Sequence, residues 1–120
     1  MRVPVLLLLS FLIVLSASSQ INMKLEDAAS HVGDSVKTCG KVAGIRFMET
    51  AKDQPTLINL GAAYPNQLLT VVIWEDPRKQ FEKTPEELFK DKEVCITGKI
   101  ELYRDKPQIV IRSKEQIQIQ

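Results

Sequence analysis

Two stretches of the chain echo one another: Val36-Lys-Thr-Cys-Gly-Lys-Val42 and Val94-Cys-Ile-Thr-Gly-Lys-Ile100. Each alternates core-type and solvent-type residues with the two-residue period of a β-strand. Each also carries a glycine mid-strand, Gly40 in one and Gly98 in the other. Glycine weakens a strand interior, so it marks a sharp bend or the close approach of another backbone. Two bent strands flanking a central hairpin are what a small closed barrel needs to turn its corners.

The same two strands hold the only cysteines, Cys39 and Cys95, both on the face opposite the valines. If the strands pair, the sulfurs come within bridging distance, and closing so long a loop stabilises the fold by about 4 kcal/mol in the chain-entropy model. The expectation is a disulfide; two free thiols are the alternative. A redox or metal site lacks CxxC spacing and further ligands.

Bridged cysteines belong in an oxidising compartment, and the first residues agree. Arg2 is the only charge before Lys24, and an apolar run extends from Val3 to Leu15. That run is short of the roughly 20 residues of a bilayer span. With the small residues Ser16 to Ser19 it reads as a cleavable signal peptide over residues 1–19, leaving one domain over residues 20–120. An uncleaved membrane anchor is the competing reading, whereas cleavage leaves no integral membrane segment. The location is then periplasmic or secreted. Without Arg2 the 16 basic residues become 15, matching the 15 acidic ones. A formally neutral domain binds nucleic acid only if its charges segregate into a groove, because non-specific binding rests on excess positive charge.

Leu25, Ala28, Ala29 and Val32 recur at helical spacing before Gly33, predicting a short amphipathic helix over one end of the barrel. The first strand spans Ser35 to Phe47, followed by a polar loop from Met48 to Gln54. The second covers Pro55 to Leu60, and the third, Leu68 to Trp74, is apolar at nearly every position, as in a strand covered on both faces. Arg78, Lys79 and Lys83 lie among acids and read as a solvated approach to the next element. There, Thr84-Pro85-Glu86-Glu87 spells a capped helix start, with Leu88 and Phe89 as its apolar contact. A fourth strand from Glu93 to Tyr103, a tight turn at Arg104 to Lys106 and a fifth strand, Pro107 to Ile111, complete the set. The alternating tail Gln116 to Gln120 extends the last strand or adds an edge pairing. This is the order of an all-β OB-fold, a five-stranded Greek-key barrel with a helix between strands three and four. A mixed α+β sandwich of the same order is the alternative.

The runs Pro55-Thr-Leu-Ile-Asn-Leu-Gly61, Tyr64-Pro-Asn-Gln67 and Thr70-Val-Val-Ile-Trp74 carry a further likeness, with Val94-Cys-Ile-Thr-Gly-Lys-Ile100 and Asp105-Lys-Pro-Gln-Ile109. From about Ala28 to Ile117 the chain resembles small exported bacterial OB-fold proteins of the DNA- and nucleic-acid-binding kind, modules that also accompany secreted nucleases. Asp105 stands where such proteins often have glycine. The resemblance implies binding on the face of strands two and three, rimmed by the one–two and four–five loops. In this chain those regions supply Arg46, Phe47, Lys52, Asn59, Tyr64, Asn66, Gln67, Trp74, Tyr103, Arg104, Lys106 and Gln108. Single-stranded DNA or RNA needs aromatic platforms for bases and cations for phosphates. Phe47, Tyr64, Trp74 and Tyr103 would be the platforms, with Arg46, Lys52, Arg104 and Lys106 as phosphate partners.

Each has a plainer role open to it. Trp74 ends an apolar strand and fits a core, Tyr64 can pin its loop, and Asn59 and Asn66 can bond loop backbone. Arg104 and Lys106 can be a solvated turn. No catalytic constellation emerges: His31 is the sole histidine, and Glu86 and Glu87 are accounted for by helix capping. The metal-binding carboxylates and arginines of a thermonuclease-type site cannot be placed. The expectation is a non-catalytic module without cofactor or metal. Its partner is single-stranded nucleic acid or another polyanion; the alternative is an envelope protein or a small ligand.

Overall fold

The computed structural model describes residues 2–4, 9, 10, 12 and 20–120. The expected signal peptide, residues 1–19, therefore falls mostly outside the described residues; among those described, no helix is long and apolar enough to cross a membrane. They form eight strands: β1 (Ile21–Asn22), β2 (Ser35–Phe47), β3 (Thr56–Leu60), β4 (Leu69–Ile73), β5 (Glu93–Lys99), β6 (Glu101–Tyr103), β7 (Lys106–Ile111) and β8 (Ile117–Ile119). Two short helices, α1 (Glu75–Arg78) and α2 (Pro85–Phe89), lie between β4 and β5.

The strands make one sheet in the order β6-β7-β4-β3-β2-β5-β8, with β1 added alongside β2. Only the β4–β7 and β1–β2 pairings are parallel. The long strand β2 belongs to both halves of this sheet. It pairs with β5 over Ser35–Lys41 and with β3 from Val42 to Phe47, and its register shifts between Val42 and Gly44. Such an irregularity bends a strand and increases its twist, which carries β2 from one half to the other.

The chain is all-β as expected, but five strands become eight, and the two ends of the order, β6 and β8, are not paired with one another. One cause lies at Ile100, which divides the expected fourth strand into β5 and β6. Its N–H donates to the Asp34 carbonyl at 3.0 Å, and its carbonyl accepts from Gly33 N–H at 2.8 Å, so its bonds go to a loop instead of a ladder. Covalent continuity across this single residue brings the two ends of the sheet round. The tail supplies β8, which pairs with β5, the edge pairing its alternation allowed.

Alternate positions of the main strands point inward and build the core. Val36, Val42, Ile58, Leu60, Leu69, Val71, Ile73, Val94, Ile96, Ile109 and Ile111 are all buried. Val72, on the other face of β4, is also buried, as the continuous apolar run foretold. The mid-strand glycines mark close approaches. A Cβ on Gly40 would sit 2.7 Å from Leu25 Cδ2, and one on Gly98 would sit 2.5 Å from Ile109 Cγ2. Gly98 is thus the place where β7 comes down onto β5. Between the glycines, Cys39 lies directly opposite Cys95 in the β2–β5 ladder, and the two are joined as a disulfide with Cα atoms 4.0 Å apart.

Local chemistry explains the short elements. Thr84 accepts the Glu87 N–H at 3.2 Å, and Pro85 occupies the first turn of α2, as the sequence indicated. The N-terminal segment differs from expectation: Leu25–Ser30 is a 3-10 helix, not an α-helix reaching Val32. A three-residue turn puts Leu25 and Ala28 on one buried face and leaves Ala29 and Val32 exposed.

Two outcomes follow for stability. Reduction and alkylation of Cys39 and Cys95 should lower the unfolding free energy by about 4 kcal/mol in a denaturant titration. Gly98→Ala should destabilise the protein by about 1–3 kcal/mol, because the methyl group collides with a packed isoleucine. Gly44→Ala, where an added Cβ meets nothing within 4 Å, is the matched control and should melt near the native temperature.

Candidate functional site

Alternation directs Leu57 and Asn59 of β3, Thr70 and Val72 of β4, and Gln108 and Val110 of β7 to the face opposite the core. Register aligns them in two rows. Asn59, Thr70 and Gln108 form a polar row; Leu57, Val72 and Val110 form an apolar one, with Arg46 beside Leu57. A hydrogen-bonded thread stiffens the polar row. Gln67 Nε2 donates to Thr70 Oγ1 at 3.2 Å, and that hydroxyl donates to Asn59 Oδ1 at 3.3 Å. Asn59 is therefore tied to a strand neighbour and not to loop backbone.

One end of this face gathers exposed aromatics and cations. The two-residue turn Arg104-Asp105 has φ of 49° and 63°, the left-handed pair that hairpins favour, and it sets Tyr103 directly across from Lys106. Lys106 Nζ donates to the Pro65 carbonyl at 2.8 Å and stands 5.6 Å from the Tyr64 ring centre. The Arg104 guanidinium carbon stands 5.3 Å from the Tyr103 ring centre. Both distances suit cation–π attraction. The rings remain open to solvent, Tyr64 at 73% exposure and Tyr103 at 57%. The loop carrying Asn66 and Gln67 and the β6–β7 hairpin thus meet through one lysine.

The other end carries Trp74, which is 40% exposed and so is not the core residue its apolar strand suggests. It follows β4 on the parity of Val72 and lines a pocket of about 350 Å³ with Asp53, Glu75, Asp76, Val110 and Arg112. Arg112 was missed in the sequence, although it continues the outward parity of Gln108 and Val110. Lys52 and Arg46 are exposed nearby in sequence, on the β2–β3 loop and on β2. Among the described residues, salt bridges engage His31, Arg78 and Lys79, and none engages Arg46, Lys52, Arg104, Lys106 or Arg112.

Two expectations are corrected here. Phe47 is not a free platform, because the Arg78 guanidinium carbon lies 3.7 Å from its ring centre. Arg78 in turn is not a solvated residue: its side chain is 15% exposed. Its Nη1 donates to Thr56 Oγ1 at 2.7 Å and to Glu86 Oε1 at 2.9 Å, while Nη2 donates to Glu86 Oε2 at 3.0 Å. This forked pair holds the Glu86 carboxyl below the usual carboxylate range, chiefly through the hydrogen bond from Arg78, against a smaller opposing effect of burial. Lys79 does lie in solvent, 3.6 Å from Glu75 and 3.8 Å from Asp76. Among the described residues no group of three His, Cys, Asp or Glu side chains is gathered for a metal.

No family model matches the chain, and no curated protein matches it significantly. Solved structures do. It is similar to a chain of the S. pombe Stn1-Ten1 complex, with a TM-score of 0.52 and 16% identity over 72% of this chain and 57% of that one. The OBody AM1L10 bound to hen egg-white lysozyme gives a TM-score of 0.52 and 17% identity, covering 87% of this chain and 95% of that one. A putative aspartyl-tRNA synthetase from Leishmania major Friedlin matches at a TM-score of 0.52 and 10% identity, over 88% of this chain but 22% of that one. At these identities the likeness speaks for the fold alone, an all-β architecture of the OB type.

Because Glu86 is depressed in the folded state, its contribution to stability is present above its unfolded value near 4.5 and is lost as pH falls through the lower folded value. Glu86→Gln should therefore melt below the native protein at neutral pH. The gap between the two should close under strongly acidic conditions, as followed by circular dichroism. A gap that does not change with pH would detach Glu86 from the acid sensitivity.

Proposed function

We propose that this chain is an exported, non-catalytic binding module that holds single-stranded nucleic acid on the outer face of β3 and β4. The observation that carries this reading is the interleaving of Tyr64, Lys106, Tyr103 and Arg104 at one end of that face. Two exposed rings offer stacking surfaces to successive bases, and the cations beside them neutralise the phosphates between. Arg46 and Arg112 add cations along the face, and because the total charge is neutral the reading depends on such local clustering. Trp74 supplies a third stacking surface at the far end. Export rests on the basic, apolar N-terminus together with the Cys39–Cys95 disulfide.

A second reading has an observation of its own. Exposed tyrosine, tryptophan and arginine are also the anchors of protein interfaces, and the OBody among the structural neighbours is bound to a protein, hen egg-white lysozyme. On that reading the same face grips a protein of the cell envelope.

Anisotropy of fluorescein-labelled single-stranded DNA and RNA, titrated at low and moderate salt, separates the two. Salt-sensitive binding is expected, and Tyr64→Ala and Tyr103→Ala should each weaken it about tenfold or more without lowering the melting temperature. Lys106→Ala should flatten the salt dependence by about one phosphate contact. No binding at low salt would remove the nucleic-acid reading in favour of a protein partner. Undiminished binding by both tyrosine variants would move the site off this face.

A further inference from the structure

Among the described residues, the last strand of the sheet is an open edge, and its sequence matches itself when reversed. From Gln116 to Gln120 the chain reads Gln-Ile-Gln-Ile-Gln, the same in both directions and without a charge or a proline. Natural edge strands are commonly protected by lysine, proline, a bulge or a covering element, since unpaired backbone groups are a template for another strand. β8 has no such protection in its own residues.

β8 pairs antiparallel with β5, Gln118 opposite Cys95 and Ile119 opposite Val94, and Gln120 N–H donates to the Glu93 carbonyl at 2.9 Å. In an antiparallel ladder, alternate residues turn both backbone groups to the same neighbour. Gln118 and Gln120 therefore face β5, and Ile117 and Ile119 face away from it. The Ile117 N–H is used by the preceding turn, where it donates to the Lys114 carbonyl. Among the described residues, the Ile119 N–H and the carbonyls of Ile117 and Ile119 are left at the edge. Ile119 is also 54% exposed, although Ile117 on the same side of the strand is buried.

We propose that β8 pairs with β8 of a second copy of this chain, antiparallel about a two-fold axis through Gln118. That register sets Gln118 against itself and each Ile117 against Ile119 of the other copy. The Ile119 N–H of each copy then donates to the Ile117 carbonyl of the other, and the exposed Ile119 side chains gain apolar neighbours. A two-fold interface requires a self-complementary patch, and an uncharged palindrome is one in which no like charges meet. The contact is short, so the dimer is weak and reversible. It lies on the half of the sheet built from β2 and β5, leaving the β3–β4 face of each copy free, and two such faces on one particle would raise avidity for a long ligand.

Sedimentation equilibrium of the full chain over a concentration series tests this, with two variants beside it. Ile119→Pro removes the outward donor without touching the bonds to β5, and Ile119→Lys puts a charge into the pairing. The native chain should dimerise with rising concentration, and each variant should weaken that association at least tenfold while keeping the native melting temperature. A native chain that stays monomeric at the highest concentration would overturn the proposal. So would dimerisation that both variants leave unchanged.

Discussion

One strand has to serve two halves of the sheet, and the rest of the architecture follows from how β2 manages it. Over Ser35–Lys41 it is bound to β5, and after its irregularity at Val42–Gly44 it is bound to β3. The two partners use opposite edges of the strand, and without the bend its two halves would run on as one flat sheet. The irregularity between Val42 and Gly44 lets the same thirteen residues present Val36 and Val42 to a single core while handing the ladder across. Cys39 and Cys95 clamp the half before the bend, and Gly98 admits Ile109 where β7 closes in on β5. Losing either device loosens the wrap that brings the β6–β7 hairpin against the loop after β3.

A second fixed point is the Arg78 guanidinium. It joins the end of β2 through Phe47, the start of β3 through Thr56 and the second short helix through Glu86. Burying an arginine is favourable only when its donors are satisfied, and the forked carboxylate with a hydroxyl and an aromatic face does this here. The segment from Trp74 to Phe89 is thereby held against the barrel-like core, so Trp74 projects from a fixed point. The loop that carries Lys52 and Asp53 leaves and re-enters the sheet beside this hub. Met48 N–H closes this loop on the Pro55 carbonyl at 2.9 Å, and Glu75 N–H ties it to α1 through the Asp53 carbonyl at 3.0 Å.

The candidate face combines features that suit an extended, flexible ligand better than a compact one. Its middle is two rows of short side chains, already bonded or packed among themselves, and its ends hold the exposed rings. Under the proposed function, affinity on such a surface would come from the ends. The middle sets spacing and keeps the surface flat. The acids near Trp74 make that end chemically unlike the Tyr64–Tyr103 end, so a ligand that spans both must have direction.

Much of this was legible in the chain. Apart from the expected fourth strand, which is divided into β5 and β6, periodicity located the main strands to within a residue or two; the Thr84-Pro85 cap located α2, and the facing cysteines were foreseen from parity, because each of these is written in residues close in sequence. Turn chemistry likewise set the hairpin at Arg104-Asp105. What periodicity could not see were contacts between segments far apart. Arg78 looked solvated among its acidic neighbours, and only the approach of Phe47, Thr56 and Glu86 buries it. Trp74 fitted either a stacking platform or a core, and the turn into α1 leaves it half in water. Whether Leu25–Ser30 formed an α- or a 3-10 helix was settled by which residues the core could accept, and Ile100 broke its strand because a loop competed for its backbone bonds. Local pattern dictated the strands, their faces and their turns; long-range packing chose which polar and aromatic side chains were buried and which were left exposed to solvent.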